Sequence, residues 1–179
     1  MPDEADHEVI ITPYSPKSRQ EADVVPALLE RFDEPPALSI KFVRWGGFKV
    51  GPYSTARWVA ECHGEPVGFL AASIRSDGAH YGLPSTRCAL LEGIAKLRKE
   101  DLPNCPHADT HTIASKLMDA FYEYARQRGA RSVVLSVDQE ETGLARRERR
   151  FRAEGFVQQS GTTWWSRDTP PEGADRVSG

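Results

Sequence analysis

Cysteines and long apolar runs are both scarce in this sequence. The 179 residues include three cysteines, Cys62, Cys88 and Cys105, and an odd, scattered set in a chain of this size does not predict a disulfide framework. No apolar run approaches the roughly 20 residues that a membrane-spanning helix requires. The acidic N-terminus "MPDEADHE" lacks the basic and then apolar order of a signal peptide. The sequence therefore predicts a soluble, cytoplasmic protein that makes no membrane contact.

The chain also lacks a large excess of charge of either sign. Basic residues number 23 and acidic residues 26, for a net charge of -3, so the field of the whole molecule does not favour binding to a polyanion. With 39% hydrophobic residues, the chain is long enough for one substantial core and too short to predict two. We expect a flexible N-terminus at 1–8, one domain at 9–168 and a disordered tail at 169–179.

The first half of the chain reads as a strand, a helix and a meander of three strands. Residues 9–13, "VIITP", predict a strand, and "SPKSRQEADVVPALLERFDEPP" predicts a helix that ends at a double proline. The segment 37–54 is compatible with more than one structure and stays open. Two apolar runs around "HGEP" predict a hairpin with strands at 56–62 and 66–74, and the next run predicts a central strand at 87–97.

The second half contains the clearest helix signal. Four apolar residues of "TIASKLMDAFYEYARQRGA" recur four, four and three positions apart, so they line one helical face. They are Ile113, Leu117, Phe121 and Tyr124. Gly129, after the basic turn "RQR", marks the end of this helix. "RSVVLSVD" then predicts a buried strand, "EETGLARRERRFRAEGF" a helix that ends near Gly155, and "FVQQSGTTWWSRD" a closing strand or hairpin.

This order of elements resembles the GNAT superfamily of N-acetyltransferases over roughly residues 9–168. "EPVGFLAASI" resembles the hairpin of its second and third strands, "TIASKLMDAFYEYARQRGARSVVLSVD" its cofactor-binding helix and next strand, and "RRFRAEGF" its ending L-Y-x-x-x-G-F. The resemblance implies an α/β (α+β) fold with a mixed, mostly antiparallel central sheet, flanking helices, and splayed fourth and fifth strands. It also implies that acetyl-CoA or another acyl-CoA is the acyl donor and lies in that splay.

The segment that opens the clear helix has no glycine where the family has a glycine-rich phosphate loop. The family motif is R/Q-x-x-G-x-G/A, and the matching text runs from Asp109 to Ala114, "DTHTIA". Asp109 would repel a pyrophosphate, whereas the start of any helix attracts one through its N–H groups and partial positive charge. The alternative is that Asp109 or a following threonine simply caps the helix.

The resemblance implies two groups of cofactor-binding residues. The phosphate cradle would use Thr112, Ile113, Ala114 and Ser115. The pantetheine arm would contact backbone groups of Ile94, Ala95 and Lys96.

Glu92 is a charged residue inside the apolar strand text "ALLEGIAKL", where an unpaired carboxylate is costly to bury. By the resemblance it matches a fourth-strand glutamate that serves as general base in some family members. The alternative is that Glu92 pairs with an arginine or faces solvent. Phe151 stands where many members have a tyrosine that protonates the leaving thiolate, so it is better explained as a core contact with Leu144. Another residue or water must then supply that proton.

Four residue types that bind zinc alternate before the clear helix: Cys105, His107, Asp109 and His111. In an extended conformation they would all point the same way. Zinc motifs normally separate their ligand pairs by longer spacings, so we predict no metal. Because histidine titrates near neutrality, His111, with His107 as an alternative, is a candidate catalytic acid, base or substrate contact.

Five arginines and one glutamate lie in the stretch from Arg146 to Arg152, "RRERRFR". Such a run is typical of a solvated helix face. The alternatives are contact with the ribose phosphate of CoA, with an acyl carrier protein or with a tRNA. The aromatic residues of "RWGGF" and "TTWWS" either wall an acceptor pocket or fill the core. Since neighbours on a strand face opposite sides, we expect at least one of the paired tryptophans in the core.

The function implied by the resemblance is transfer of an acyl group from a CoA or pantetheine thioester to the amine of a small molecule, by direct attack. One alternative is an acyltransferase whose donor is an acyl carrier protein or an aminoacyl-tRNA. The other is a non-catalytic module of the same fold that senses CoA or binds a partner. The sequence does not identify the acceptor, and it leaves a homodimer open.

Overall fold

The computed structural model describes four stretches of the chain: residues 8–14, 55–97, 110–137 and 143–174. Within these stretches the chain forms seven β-strands, two α-helices and one short 3-10 helix. The helix predicted in 15–36 and the open segment 37–54 lie outside the described residues.

Chain order and sheet order differ only at the last strands. The strands are β1 (Ile10–Pro13), β2 (Thr55–Cys62), β3 (Glu65–Arg75), β4 (Cys88–Lys96), β5 (Ser132–Ser136), β6 (Val157–Gln158) and β7 (Trp164–Asp168). The α-helices are α1 (Thr110–Gln127) and α2 (Leu144–Ala153), and the 3-10 helix covers Ala79–Tyr81. The sheet order is β1-β2-β3-β4-β5-β7-β6. These bounds confirm the predicted hairpin, central strand, long helix and closing hairpin.

The sheet is mixed and mostly antiparallel, as predicted. β5 pairs antiparallel with β7, and β1 with β2, whereas β4 and β5 are parallel and are connected through α1. The β4–β5 register runs from Cys88 opposite Ser132 to Leu90 opposite Val134. The pairing stops there, although β4 continues to Lys96 and β5 to Ser136. The register thus agrees with the predicted separation of the fourth and fifth strands.

The described residues fall into two compact units. Unit 1 lies within residues 1–72 and 93–121 and contains β1, β2, most of β3, the end of β4 and the first part of α1. Unit 2 lies within residues 73–92 and 122–179 and contains the other elements. The predicted domain bounds, 9–168, stay a prediction.

The long helix α1 buries the face that its sequence predicts. The four residues of that face are all buried: Ile113, Leu117, Phe121 and Tyr124. After the helix ends at Gln127, Gly129 adopts a φ of 67°, and the Ala130 N–H donates to the Ala125 carbonyl at 2.9 Å. A residue in this left-handed conformation is best a glycine, because a Cβ would crowd the backbone. The predicted stop at Gly129 is therefore confirmed.

The short helix α2 ends in a turn that returns the chain to the sheet. Gly155 has a φ of 88°, and the Phe156 N–H donates to the Phe151 carbonyl at 2.9 Å. The rings of Phe151 and Phe156 meet edge to face, with centroids 5.7 Å apart, a favoured geometry for aromatic pairs. Phe151 therefore packs against its own helix end, which agrees with a structural role.

The chain after β7 is attached to unit 2 at its first two residues. Thr169 donates from Oγ1 to the Ala130 carbonyl at 2.7 Å and from its N–H to the Arg131 carbonyl at 2.9 Å. The Pro170 carbonyl accepts a hydrogen bond from Arg126 Nη1 at 2.8 Å. These hydrogen bonds connect Thr169 and Pro170 to the end of α1 and the residues just before β5, and the predicted tail 169–179 stays a prediction.

Candidate active site

A partly buried carboxylate, Glu92, lies on β4 in unit 2. Its Oε1 accepts a hydrogen bond from Ser73 Oγ at 2.7 Å and another from Arg75 Nη2 at 3.0 Å. Both donors come from the end of β3, the strand beside β4. The side chains of Arg75 and Glu92 are 24% and 13% exposed, so each charge offsets the cost of removing the other from water. The arginine partner that the sequence left open for Glu92 is therefore Arg75.

The other carboxylate oxygen of Glu92 is left for another group. Within the described part of the chain, both hydrogen bonds of Glu92 fall on Oε1 and none on Oε2. An ionised carboxylate has acceptor sites on each oxygen. A carboxylate anchored through Oε1 can therefore still accept a proton or a hydrogen bond on Oε2. Pairing with Arg75 and service as a base are compatible in this geometry.

Cys88, on the same face of β4, is a poor nucleophile. Burial raises the pKa of the Cys88 thiol, the nearby Arg75 opposes this rise, and Asp77 adds to it. The thiolate is the reactive form of cysteine, and a raised pKa makes it rarer at neutral pH. Cys88 is therefore not suited to carry a covalent acyl intermediate.

Three aromatic rings meet where the loop between β3 and β4 reaches β7. The centroids of Tyr81 and Trp164 are 4.8 Å apart and those of His80 and Tyr81 5.0 Å, both edge to face. Tyr81 is buried, His80 is exposed and Trp164 is half-buried. The adjacent Trp165 is 1% exposed, which confirms that one of the paired tryptophans belongs to the core. We refer to His80, Tyr81 and Trp164 as the aromatic wall.

The loop that carries His80 and Tyr81 is organised by Asp77. Its Oδ1 accepts hydrogen bonds from the Ala79 N–H at 2.9 Å and from Ser85 Oγ at 2.8 Å. The bond from Ala79, and then that from Ser85, lower the pKa of the Asp77 carboxyl below its ordinary value of 3.8. The negative charge of Asp77 is therefore stabilised by hydrogen bonds from within its own loop. An aspartate before Gly in a loop is typical of such local turns, and this was the one signal in the sequence for Asp77.

In unit 1, a glycine allows close contact between β3, β4 and α1. A Cβ added to Gly68 would lie 2.9 Å from Ile113 Cγ2, 3.1 Å from the Ala95 carbonyl oxygen and 3.3 Å from Leu117 Cδ1. Gly68 thus lies against members of both predicted cofactor-binding groups, Ala95 and Ile113. Gly68 was not among the residues predicted for the site. The available signal was an isolated glycine inside a strand, which often marks close backbone approach.

The predicted cofactor-binding residues on α1 differ in which of their groups are accessible to a ligand. Ile113 and Ala114 are 0% and 1% exposed, so only their backbone groups are candidates for contact. Thr112 and Ser115 are half-buried. The first turn of α1, whose N–H groups are not used within the helix, begins at Thr110 and includes Thr112. N–H groups from Ile113 onward take part in the helix ladder, and the phosphate cradle stays a prediction.

On β4, the predicted pantetheine contacts also vary in exposure. Ile94 and Lys96 are half-buried and Ala95 is buried. Just after the strand, the Leu97 N–H donates to the Val67 carbonyl at 2.9 Å. The backbone of β3 is therefore already paired with this end of β4, and a cofactor would have to use groups that face the other edge.

Lys116 is a basic residue next to the predicted cradle, and it has a structural partner. Its Nζ donates to Glu8 Oε1 at 2.7 Å and to the Val9 carbonyl at 2.9 Å. The hydrogen bond and charge of Lys116 lower the pKa of the Glu8 carboxyl. Lys116 therefore attaches the start of the first strand to α1.

The roles of the four alternating residues at 105–111 stay predictions, and the last of them, His111, lies within α1. Cys105, His107 and Asp109 lie outside the described residues, and so does the side chain of His111. The catalytic assignment of His111 and the metal alternative are therefore both untested.

Two arginines of α2 contact neighbouring side chains in unit 2. Arg150 lies 3.6 Å from Glu154, and Arg152 lies 4.0 Å from Glu148. Arg152 also stacks over the Trp165 ring at 5.3 Å. These contacts favour the solvated helix face over a dedicated anion site. Neither α1 nor α2, the helices of the described stretches, is long and apolar enough to cross a membrane.

Comparison with known proteins identifies the family. The model of the Acetyltransferase (GNAT) family matches residues 23–147, a span that contains every predicted site residue. No curated protein matches the sequence.

Solved structures share the fold at low sequence identity. The aminoglycoside N-acetyltransferase AAC(6')-Iy, with a CoA-linked bisubstrate analogue, is 20% identical, with TM-score 0.61 over 87% of this chain and 95% of that chain. AAC(6')-Ih from Acinetobacter baumannii is 18% identical, with TM-score 0.60 over 87% of this chain and 95% of that chain. A ribosomal-protein-alanine N-acetyltransferase from Brucella melitensis is 14% identical, with TM-score 0.54 over 80% of this chain and 90% of that chain. The fold and the family match agree with the sequence resemblance, and the chain therefore belongs to the GNAT acetyltransferase family, as an enzyme that transfers acyl groups.

Proposed function

We propose that this enzyme transfers the acyl group of an acyl-CoA, such as acetyl-CoA, to the amine of a small molecule. The family supports the reaction class. The observation that carries the catalytic assignment is Glu92, which is anchored through Oε1 and has no hydrogen bond on Oε2 from the described residues. Removal of a proton from an attacking amine needs a base of this kind at a fixed position.

The proposed step forms one bond and breaks one. The neutral amine nitrogen attacks the thioester carbonyl carbon, so that a C–N bond forms and the C–S bond breaks. The amine proton leaves to Glu92 Oε2, directly or through one water, and then to solvent. The CoA thiolate takes a proton from water or from a side chain, and His111 is the candidate acid because Phe151 has no acidic proton.

The donor contacts follow from the two predicted groups in unit 1. The backbone of Ile94, Ala95 and Lys96 is proposed to bind the pantetheine arm, and the start of α1 from Thr112 to Ser115 the pyrophosphate. The close packing of Ala95 and Ile113 on Gly68 supports this assignment, because it fixes both groups against one strand. AAC(6')-Iy, which shares the fold, was solved with a CoA-linked analogue.

A small-molecule amine is the acceptor that we favour. Two of the structures with this fold are aminoglycoside acetyltransferases, whereas a third is a ribosomal-protein-alanine acetyltransferase. The protein-bound amine is therefore the nearest rival acceptor. Cytoplasmic localisation and a homodimer stay predictions from the sequence.

A donor other than free acyl-CoA is the second candidate. The exposed Arg146 and Arg149 are suited to an acyl carrier protein or an aminoacyl-tRNA. The contacts of Arg150 and Arg152 with glutamates of unit 2 weigh against this reading. A non-catalytic module that senses CoA is weaker still, since it would not require an anchored carboxylate with an open oxygen.

Isothermal titration with acetyl-CoA and CoA, followed by thiol release in the presence of a panel of primary amines, tests the proposal. We expect micromolar binding of both cofactors and thiol release that depends on the added amine. Binding without amine-dependent release would favour the sensing module. No binding to free CoA, with acylation from a carrier protein or charged tRNA, would establish the alternative donor.

A further inference from the structure

Ser73 is a polar residue at the end of the buried run of β3. Residues 69–72, which precede it, are fully buried, and Ser73 itself is 1% exposed. A hydroxyl at such a position costs free energy unless it makes a hydrogen bond. Ser73 donates from Oγ to Glu92 Oε1 at 2.7 Å, a length typical of a hydroxyl bonded to a charged oxygen. The hydroxyl of Ser73 is therefore committed to the carboxylate of Glu92.

The burial of Ser73 limits the ways in which it can affect a reaction. At 1% exposure its side chain reaches neither solvent nor a substrate. Any effect on catalysis must therefore pass through the group that the hydroxyl contacts. Within the described stretches, that group is the carboxylate of Glu92.

The two donors to Glu92 differ in stiffness. Ser73 and Arg75 are two residues apart on β3 and so project to the same side, and both donate to Oε1. Arginine has one of the most flexible side chains, and that of Arg75 is 24% exposed. The hydroxyl of serine is attached directly to Cβ, so the backbone of β3 fixes its position. Arg75 thus supplies charge, whereas Ser73 supplies the rigid anchor.

A rigid anchor matters for a base. A general base must lie within hydrogen-bond reach of the proton that it removes, and a displacement of about 1 Å can cost about 100-fold in rate. The side chain of glutamate is flexible, and without Ser73 either oxygen of Glu92 could turn toward Arg75. With Ser73 in place, Oε1 is held, and Oε2 is the oxygen without a hydrogen bond from the described residues.

We propose that Ser73 is a positioning residue for acyl transfer, whose hydroxyl holds Oε1 of Glu92 so that Oε2 receives the amine proton. This inference rests on the proposed function. No proton passes through Ser73: its O–H bond stays intact, and the amine proton moves to Oε2 and then to solvent. Arg75 offsets the charge of the same carboxylate.

The test measures steady-state turnover of the full-length protein with acetyl-CoA. The amine probe is whichever of ethylamine, 1,4-diaminobutane and glucosamine gives the fastest thiol release with the wild type. Ser73→Ala removes the hydroxyl. Ser73→Cys fills a similar volume with a weak donor, and it keeps the test available if Ser73→Ala fails to fold.

Ser166→Ala is the matched control. Ser166 is also a buried strand serine of unit 2, 5% exposed, and its Oγ accepts a hydrogen bond from Gln159 Nε2 at 2.6 Å. The control therefore also loses one hydrogen bond of a buried serine, but not one to Glu92. Thermal unfolding of each variant measures the loss of stability separately from the loss of turnover.

We expect Ser73→Ala to lower kcat by about tenfold, less than a displacement of about 1 Å can cost, and to leave the Kd for acetyl-CoA unchanged. Ser73→Cys should resemble Ser73→Ala, because the donor and not the volume is what matters. Ser166→Ala should keep the kcat of the wild type. A kcat of Ser73→Ala within twofold of the wild type, or an equal fall in Ser166→Ala, overturns the inference.

A double variant shows whether Ser73 acts through Glu92. Ser73→Ala/Glu92→Gln should be as slow as Glu92→Gln alone, because the residue that Ser73 positions is already disabled. A further tenfold loss in the double variant overturns the inference. If Glu92→Gln is slow and Ser73→Ala is not, the inference fails and the proposed function stands. If Glu92→Gln turns over like the wild type, the catalytic assignment and the inference fail together.

Discussion

Ser73 and Glu92 form a hydrogen bond of 2.7 Å between neighbouring strands, from Oγ to Oε1. Ser73 is buried, and Arg75 adds a second bond to the same oxygen at 3.0 Å. The carboxylate is thus held by two donors through one oxygen. This arrangement explains how a charged residue is accommodated in an apolar strand, and it leaves Oε2 without a hydrogen bond from the described residues.

Removal of the arginine should destabilise the fold through the glutamate. In Arg75→Met the carboxylate of Glu92 keeps only Ser73, so we expect the free energy of unfolding to fall by about 1–2 kcal/mol. Urea denaturation at pH 7 measures this change. In the double variant Arg75→Met/Glu92→Gln most of the loss should be recovered. If the losses in unfolding free energy of the two single variants simply add in the double variant, the two side chains are not coupled.

A methyl group at position 68 should be poorly tolerated. Gly68→Ala places a Cβ 2.9 Å from Ile113 Cγ2 and 3.1 Å from the Ala95 carbonyl oxygen, so β3 and α1 must move apart, at a cost of about 1–3 kcal/mol. Thermal unfolding measures the loss, and the affinity for acetyl-CoA should fall with it. Ile113→Ala in the same chain should relieve part of the clash. A Gly68→Ala protein as stable as the wild type would contradict this packing.

The contribution of Asp77 to the stability of the fold should fall as the pH is lowered. Because the folded pKa of Asp77 lies below 3.8, the ionised carboxylate stabilises the fold above the unfolded pKa, and this contribution is lost as pH falls through the folded value. The stability difference between the wild type and Asp77→Asn should therefore shrink between about pH 5 and pH 2. Carboxyl titration by NMR checks the shift directly. Ser85→Ala should move the midpoint up, and a wild-type midpoint at or above 3.8 would refute the assignment.

The attachment of the chain after β7 can be tested by truncation. A chain that ends at Asp168 loses the two Thr169 hydrogen bonds and the Pro170 contact, and should lose about 1–3 kcal/mol. A chain that ends at Ala174 keeps them and should match the full-length protein in denaturant unfolding. Equal stability of both truncated proteins would mean that these contacts contribute nothing.

Periodic signals in the sequence predicted most of the described fold. The buried face of α1 was predictable because it depends on a local signal, the helical spacing of Ile113, Leu117 and Phe121. The β2–β3 hairpin was predictable because its turn is encoded locally in "HGEP". Composition alone does not show that Thr169 can donate to the Ala130 and Arg131 carbonyls just before β5, and the predicted bounds of the tail stay a prediction.

The site was less predictable because its contacts join distant parts of the chain. Glu92 stood out as a charge in an apolar strand, but its partners Ser73 and Arg75 belong to another strand. The contact of Gly68 with Ile113 and the meeting of His80 with Trp164 depend on packing that no local pattern specifies. Sequence reasoning could select the residue types, whereas the sheet register decided which of them share a face.

Glu92→Gln tests the central claim most directly, with steady-state turnover measured beside the Kd for acetyl-CoA. Glu65→Gln, an exposed glutamate at the start of β3, is the matched control. We predict that Glu92→Gln lowers kcat by about 100-fold and leaves the Kd for acetyl-CoA unchanged, while Glu65→Gln changes neither. Turnover of Glu92→Gln within a few-fold of the wild type would contradict the role of Glu92 as the base.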